Sequence, residues 1–257
     1  SPVENVHLAV DAYQIDIRDQ LGMSTYVGYD PTNPARVVDF YGNVLTADQI
    51  AIVDDLLAGA GYSITPPKGL FVSYLRTIGA TRTRGIEFTA DGSIPSDIGL
   101  WTWNYAINSV TTDITKTEDI SPILADLPNV ALLNESTQYN LRYRSPRYTQ
   151  VAGINWARDG LTLGVNFAHY GPIKRLSNNY RYTIKPKLTT SVSGSYDFGN
   201  GLSLTAGVDN VFDKKADKVP VEAMSASNRA TYQWMYESGD SVSAMGGYYF
   251  ARLNYRF

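Results

Sequence analysis

The protein has 257 residues, no cysteine and a formal net charge of −3. The lack of cysteine excludes a disulfide framework and a thiolate metal site, and the acidic balance argues against the basic surface that nucleic acids need. No run of eighteen apolar residues occurs, so a transmembrane helix is excluded, and residues 1–2 lead into patterned sequence without a signal peptide. A high tyrosine count, 19, is typical of the aromatic girdles of membrane β-barrels.

The first predicted strand covers residues 4–17. Val6 and Leu8 share one face, but from Tyr13 onward the apolar positions move to the other face. A β-bulge is the simplest explanation for this change of parity.

A long connection, residues 18–70, follows and contains the sequence TADQIAIVDDLLAGAG. Thr46 is placed to cap a helix there, with apolar residues such as Val53 and Leu57 on one side and Gly59 or Gly61 at its end. Self-packing that holds the loop in place is the favoured interpretation. The alternative is that the helix near residues 46–58 acts as a lid over a binding site.

The next predicted strands, RGIEFTA and GLWTWNYAINS, are joined across DGSIPSD at residues 91–98. Trp101 and Tyr105 face one way in the second of these strands, and Asn104 faces the other way. In the first strand, regular alternation would place Arg82 and Arg84 on the same lipid-facing side as Ile86 and Phe88. We therefore expect a bulge at Gly85 that turns the arginines inward.

Two further hairpins follow the same design, with turns at residues 159–160 and 199–201. Apolar residues alternate with small or polar ones along each strand. The predicted inward positions include Thr162, Gly164, Asn166, Ala168, Ser191, Ser193, Ser195, Ser203, Thr205 and Gly207.

With a last strand over residues 246–257 the count reaches eight, and long connections alternate strictly with short ones. This asymmetry is typical of an outer-membrane barrel with long extracellular loops and short periplasmic turns. A soluble β-sandwich or lectin-like fold is the alternative, because one apolar and one polar face also describe a sheet packed on a core.

Three stretches in order carry a family resemblance: TRTRGIEFTADG with Gly85 and Glu87, GLSLTAGVDNVFDKK, and the terminal ARLNYRF. In these the sequence resembles the C-terminal barrel of TonB-dependent outer-membrane transporters. The resemblance spans roughly residues 70–257 well and the first strand loosely. It implies that Tyr255 and Phe257 belong to the terminal signal that the barrel assembly machinery reads.

The resemblance implies an all-β fold, an antiparallel transmembrane β-barrel of which this chain supplies about the last eight of 22 strands. Residues 1–257 would then be the C-terminal part of the barrel domain, without its plug domain. The small inward residues agree, because they would leave a closed eight-stranded barrel underfilled but suit the wall of a wide lumen.

No catalytic site, metal site or cofactor is predicted, because the only two histidines, His7 and His169, cannot share a site and no nucleophile has a base beside it. Aromatic and basic loop residues are the candidates for ligand binding, with girdle packing or loop packing as the alternative role: Lys174, Arg175, Tyr180, Arg181, Tyr182, Arg229, Tyr232, Trp234 and Tyr236. Inward charged residues are the candidates for plug contacts, with a lumen-wall network as the alternative: Arg82, Arg84, Glu87 and Asp209.

The resemblance implies a bacterial outer-membrane active transporter, not an enzyme, for a scarce small-molecule ligand such as a ferric siderophore, cobalamin or an oligosaccharide. Its partners would be outer-membrane lipid, its own plug and a TonB-type energy-coupling protein, and not nucleic acid. The alternative functions are a stand-alone small barrel with a structural or adhesive role and a soluble β-sandwich binding module.

Overall fold

A computed structural model describes residues 5–30, 33, 35–62, 70–225, 229 and 235–256. The strands of this part of the chain are β1 (Val6–Met23), β2 (Val27–Tyr29), β3 (Val37–Val38), β4 (Phe71–Val72), β5 (Leu75–Ser96), β6 (Gly99–Thr117), β7 (Tyr148–Arg158), β8 (Leu161–Tyr170), β9 (Ile173–Ser177), β10 (Tyr180–Ile184), β11 (Lys187–Asp197), β12 (Leu202–Asp209) and β13 (Tyr248–Tyr255). The α-helices are α1 (Ala47–Gly59) and α2 (Glu135–Tyr143). No helix in the described ranges is long and apolar enough to cross a bilayer.

Eight strands form one sheet in the order β1-β5-β6-β7-β8-β11-β12-β13, which confirms the predicted count and sequential pairing. From β6 through β13, each strand of this sheet pairs antiparallel with its neighbour. Among the described residues β1 and β13 end the sheet and do not pair with each other. The sheet is therefore an open segment of wall and not a closed barrel.

The register confirms the predicted separation into two faces. One face carries an apolar row that crosses six strands: Trp103, Ile154, Val165, Val192, Val208 and Tyr249. The other face carries the adjacent row Thr102, Asn155, Gly164, Ser193, Gly207 and Phe250. We call these the outer face and the inner face.

Large apolar side chains on the outer face remain exposed. Ile154 is 50% exposed and Leu253 is 66% exposed. A continuous apolar face of this kind is unfavourable in water and is what a lipid-facing wall requires. On the inner face, asparagine side chains fill the space beside glycines. Asn104 and Asn166, for example, lie on either side of Gly153.

Short turns and long connections alternate along the sheet, as predicted. Asp159 and Gly160 both have positive φ, 48° and 82°, which suits a tight turn whose twist matches the strands. The first short turn differs from the expected span of residues 91–98, because β5 continues to Ser96 and only Asp97 and Ile98 remain in the turn. The long connections cover residues 24–74, 118–147, 171–186 and 210–247.

The chain divides into two compact units, each with its own packing. One comprises Ser1–Ile15, Thr83–Thr112 and Tyr139–Phe257, and the other comprises Asp16–Arg82 and Asp113–Gln138.

The second unit has its own apolar core around α1. Thr46 caps this helix through a capping box with Gln49, as the sequence predicts for the cap. Val53 and Leu57 are buried against residues of β2 and β3, including Val27. The self-packing expected for this loop is confirmed, whereas a role as a lid remains a prediction.

Candidate functional site

The hairpin β9–β10 lies in one of the long connections and separates its side chains onto two faces. Asn178 and Asn179 form its turn with positive φ, 49° and 60°, which only a few residue types adopt readily. Tyr182 pairs directly with Arg175, and Arg181 pairs with Leu176. Because side chains alternate along strands, Arg175, Tyr180 and Tyr182 share one face and Arg181 lies on the other.

The first face packs against the connection at residues 210–247 through a buried carboxylate. The Tyr182 hydroxyl and the backbone N–H of Gly239 both donate to Glu237, the latter over 3.1 Å. Nη2 of Arg175 lies 3.2 Å from a Glu237 oxygen. Glu237 is only 5% exposed, so its charge is held by these three partners. We call Arg175, Tyr182 and Glu237 the Glu237 cluster.

A second ionic group joins the same connection to the start of β11. Nζ of Lys187 forms an ion pair with Asp217 and lies 3.6 Å from Asp240, whose side chain is fully buried. Asp217 also accepts from the backbone N–H of Lys185 at 2.8 Å. Burial acts to raise the pKa of Asp217, but the hydrogen bonds and charges of Lys187 and Lys185 outweigh burial and hold that pKa below its usual range.

The Glu237 cluster is electrostatically unusual in two respects. Burial, together with the hydrogen bond to the Glu237 carboxylate, raises the pKa of Tyr182 to about 12. Nε and Nη1 of Arg175 are buried without an acceptor among the described residues. The guanidinium is therefore held by one carboxylate, and two of its three nitrogens donate to no acceptor in the described part of the chain.

The second face of the hairpin meets α2 and forms a surface of tyrosines and cations. Arg147 and Lys174 lie over the ring of Tyr143, at 5.4 and 5.7 Å from its centroid, and Arg181 lies 5.3 Å from that of Tyr139. The two tyrosine rings are 4.8 Å apart. Cations at these distances from aromatic rings are attracted by the ring quadrupole. We call Tyr139, Tyr143, Arg147, Lys174 and Arg181 the tyrosine–cation surface.

Paired hydrogen bonds hold α2 and the hairpin together. The side-chain amide of Asn140 donates to the carbonyl oxygen of Leu176 over 3.2 Å and accepts from its N–H over 3.3 Å. On the opposite side Ser177 donates to the carbonyl oxygen of Ala223 over 3.0 Å. The hairpin is thus tied to the connections on both sides, which fixes the surface that it presents.

The structure distributes the predicted ligand residues over different environments. Tyr182 is engaged in the Glu237 cluster, Tyr180 lies on the same hairpin face and is 39% exposed, and Arg181 joins the tyrosine–cation surface. Arg229 donates to the carbonyl oxygens of Met224 and Glu222 within its own connection, and Tyr236 forms a β-bridge with Lys218. Tyr232 and Trp234 lie outside the described residues.

Sequence reasoning missed three members of the tyrosine–cation surface and the central carboxylate of the Glu237 cluster. Tyr139, Tyr143 and Arg147 fall in YNLRYRSPRY, whose alternation of aromatic and basic residues is a local signal of such a surface. Glu237 has no comparable signal, because its partners lie far away in the sequence.

The arginines expected to turn inward lie on the outer face. On the inner face Thr83 hydrogen bonds Thr112 over 2.9 Å, and the ring of Tyr13 lies over Gly85, so alternation continues without the expected bulge at that glycine. Arg82 consequently pairs with Asp16 over 2.6 Å, and Nε of Arg84 donates to Gln14 over 2.9 Å.

Strand length explains why this placement is tolerated. About 9–11 residues suffice to cross a bilayer, whereas β5 has 22 residues and both arginines lie in its first half. Because the turn at Asp97 follows the other end, Arg82 and Arg84 lie beyond the part of the strand needed to span the hydrocarbon.

The remaining predicted site residues are Glu87, Asp209, Tyr255 and Phe257. Asp209 pairs with Tyr248 in the register and accepts a hydrogen bond from its hydroxyl, next to the inner-face pair Gly207 and Phe250. A plug-facing role for Glu87 and Asp209 stays a prediction. Tyr255 is exposed near the end of β13, and Phe257 lies outside the described residues.

Comparison with known families gives one match over most of the chain. Residues 3–211 match the family described as TonB dependent receptor-like, beta-barrel. The copper transporter OprC has a similar fold, with a TM-score of 0.54 and 11% identity, over 99% of this chain and 29% of the transporter chain.

Two curated receptors are similar over a shorter segment. The ferrienterobactin receptor of Escherichia coli strain K12 is 32% identical over 80 residues, and the ferric enterobactin receptor of Pseudomonas aeruginosa strain PAO1 is 33% identical over 81 residues. These segments cover 27% and 28% of this chain. Each match spans 11% of the receptor's own length.

Proposed function

This chain belongs to the TonB-dependent receptor β-barrel family, and from that premise we propose that it forms part of the wall and the extracellular loops of a receptor that takes up a ferric siderophore. The wall lies in the outer membrane, where proteins of this family are located. The choice of ligand class rests on the two enterobactin receptors to which a segment of the chain is similar. Cobalamin and oligosaccharides remain the competing ligands.

The observation that carries the proposal is the arrangement of the sheet. Its outer face is apolar and exposed, its inner face is lined by glycine, serine and asparagine, and every long connection joins the same ends of neighbouring antiparallel strands. Such a wall suits a wide lumen that contains a plug, and such loops suit capture of a ligand from outside.

In this proposal the chain carries out no bond-making chemistry. The loops bind the ligand, and energy relayed by a TonB-type coupling protein rearranges the plug so that the ligand passes through the lumen. The inner face contributes a polar surface that a plug can contact, with Glu87 and Asp209 as charged positions.

Uptake by living cells tests this function. Deletion of the gene in the source bacterium should reduce uptake of ⁵⁵Fe-labelled siderophore under iron limitation at least about tenfold, and removing the energy-coupling protein should have the same effect. Uptake of labelled cobalamin and oligosaccharide is the control and should not change. Unchanged iron uptake in the deletion strain would contradict the proposal, and reduced uptake of a control ligand would reassign the substrate.

A further inference from the structure

The tyrosine–cation surface stands out by its charge. Segments 139–148 and 171–187, which supply it, contain eight basic residues and no acidic residue, although the chain as a whole has a net charge of −3. Positive charge is therefore concentrated on the last turn of α2, the residues that follow it, and the hairpin β9–β10 with its flanking residues, whereas the first turn of α2 carries Glu135.

Two cations of this part of the chain, Arg175 and Lys187, form ion pairs with carboxylates. Glu237 holds Arg175, and Asp217 with Asp240 holds Lys187. Within the described ranges neither Arg147 nor Lys174 has a carboxylate within ion-pair distance, and both are exposed. The charge of these two residues is thus available to a ligand.

The geometry suits a ligand that is both aromatic and anionic. The half-buried rings of Tyr139 and Tyr143 pack together, with their centroids 4.8 Å apart, and give an apolar surface. The charged groups of Arg147 and Lys174 lie close to the Tyr143 ring. Rings favour stacking with aromatic groups, and guanidinium and ammonium groups pair with anionic oxygens. The Asn140 hydrogen bonds to Leu176 hold the helix and the hairpin in this arrangement without the ligand.

We propose that the tyrosine–cation surface is a binding site for negatively charged aromatic iron chelates, with Arg147 and Lys174 as the residues that select for negative charge. The site rests on the proposed function, since it specifies the ligand class of the receptor. It assigns ligand contacts to Tyr139, Tyr143 and Arg147, and it leaves Tyr182 to hold the hairpin in place.

Binding measurements on the intact receptor, purified from outer membranes, test this site. The probes are a trianionic iron(III) tris-catecholate and an iron(III) trihydroxamate of no net charge, titrated by tryptophan fluorescence. The unaltered receptor should bind the tris-catecholate at least about tenfold more tightly, and this preference should shrink as salt is raised, because exposed charges are screened.

Variants then locate the selectivity. Arg147→Gln and Lys174→Gln should each weaken tris-catecholate binding about tenfold, and the double variant should weaken it about a hundredfold. Arg147→Lys should retain most of the affinity for the tris-catecholate. Binding of the trihydroxamate should change less than about threefold in each case, which also shows that the variants fold. Lys214→Gln, which removes an exposed cation from another connection, is the matched control and should leave both affinities unchanged.

The possible outcomes separate this site from the proposed function. If the double variant binds the tris-catecholate as tightly as the unaltered receptor, or the two probes bind equally at low salt, the site is wrong while siderophore uptake stands. If neither iron chelate binds to the unaltered receptor, the proposed function fails and the site fails with it.

Discussion

Tyr182 and Glu237 are joined by a hydrogen bond that links the hairpin β9–β10 to the connection between β12 and β13. Glu237 also balances the charge of Arg175, which is 14% exposed in its side chain. The buried carboxylate of Glu237 thus holds two connections together, beside the hydrogen bonds of Ser177 to Ala223 and of Lys185 to Asp217.

Replacing that carboxylate should loosen the hairpin. Glu237→Gln leaves Arg175 without a counterion, and breaking a buried ion pair in this way costs about 3–5 kcal/mol. Amide hydrogen exchange of residues 171–186 should become at least about a hundredfold faster, while that of β7 and β8 should not change. Glu222→Gln, an exposed position on the same connection, is the control. Equal protection of the hairpin in the Glu237→Gln variant would show that the cluster does not hold it.

The Glu237 cluster should also respond to alkaline pH. The folded pKa of Tyr182 is raised from 10.0 to about 12, so its stabilising contribution is complete below pH 10 and is lost as the pH rises toward 12. The difference in absorbance at 295 nm between the unaltered protein and the Tyr182→Phe variant isolates this phenol. It should titrate near pH 12, and a midpoint near pH 10 would contradict the buried hydrogen bond.

Gly85 should tolerate no side chain while Tyr13 is present. A Cβ at Gly85 would overlap the Tyr13 ring, and forcing an atom into such a contact costs about 1–3 kcal/mol. Gly85→Ala should lower stability to urea by this amount, and Tyr13→Ala should remove most of the effect. Gly59→Ala is the matched control, because its Cβ would meet open space on α1. A Gly85→Ala variant as stable as this control would argue against the Tyr13–Gly85 contact.

Local rules were sufficient to predict the sheet and the helix α1. Period-two alternation separates Val192 from Ser193 onto opposite faces, and Gly160 marks a turn, so each strand is specified by its own sequence. The cap of α1 is equally local, since Thr46 and Gln49 are three residues apart.

The loop interactions could not be predicted in the same way. The hairpin β9–β10 was not predicted, because the sequence around Arg175 and Tyr182 lacks a clear apolar alternation. The pairing of Glu237 with these residues depends on contacts between distant segments. The expected inward turn of Arg84 failed for a different reason, since parity alone does not reveal that β5 extends past the membrane.

The orientation of the two faces of the sheet is the most direct test of the account. Because the chain has no cysteine, single cysteines at Val165, Asn166, Val192 and Ser193 can each carry one spin label in the protein reconstituted in bilayers. Labels at Val165 and Val192 should be relaxed by oxygen dissolved in lipid, and labels at Asn166 and Ser193 by a water-soluble nickel chelate. Access of the nickel chelate to all four positions alike would contradict a membrane wall and favour a sheet in water.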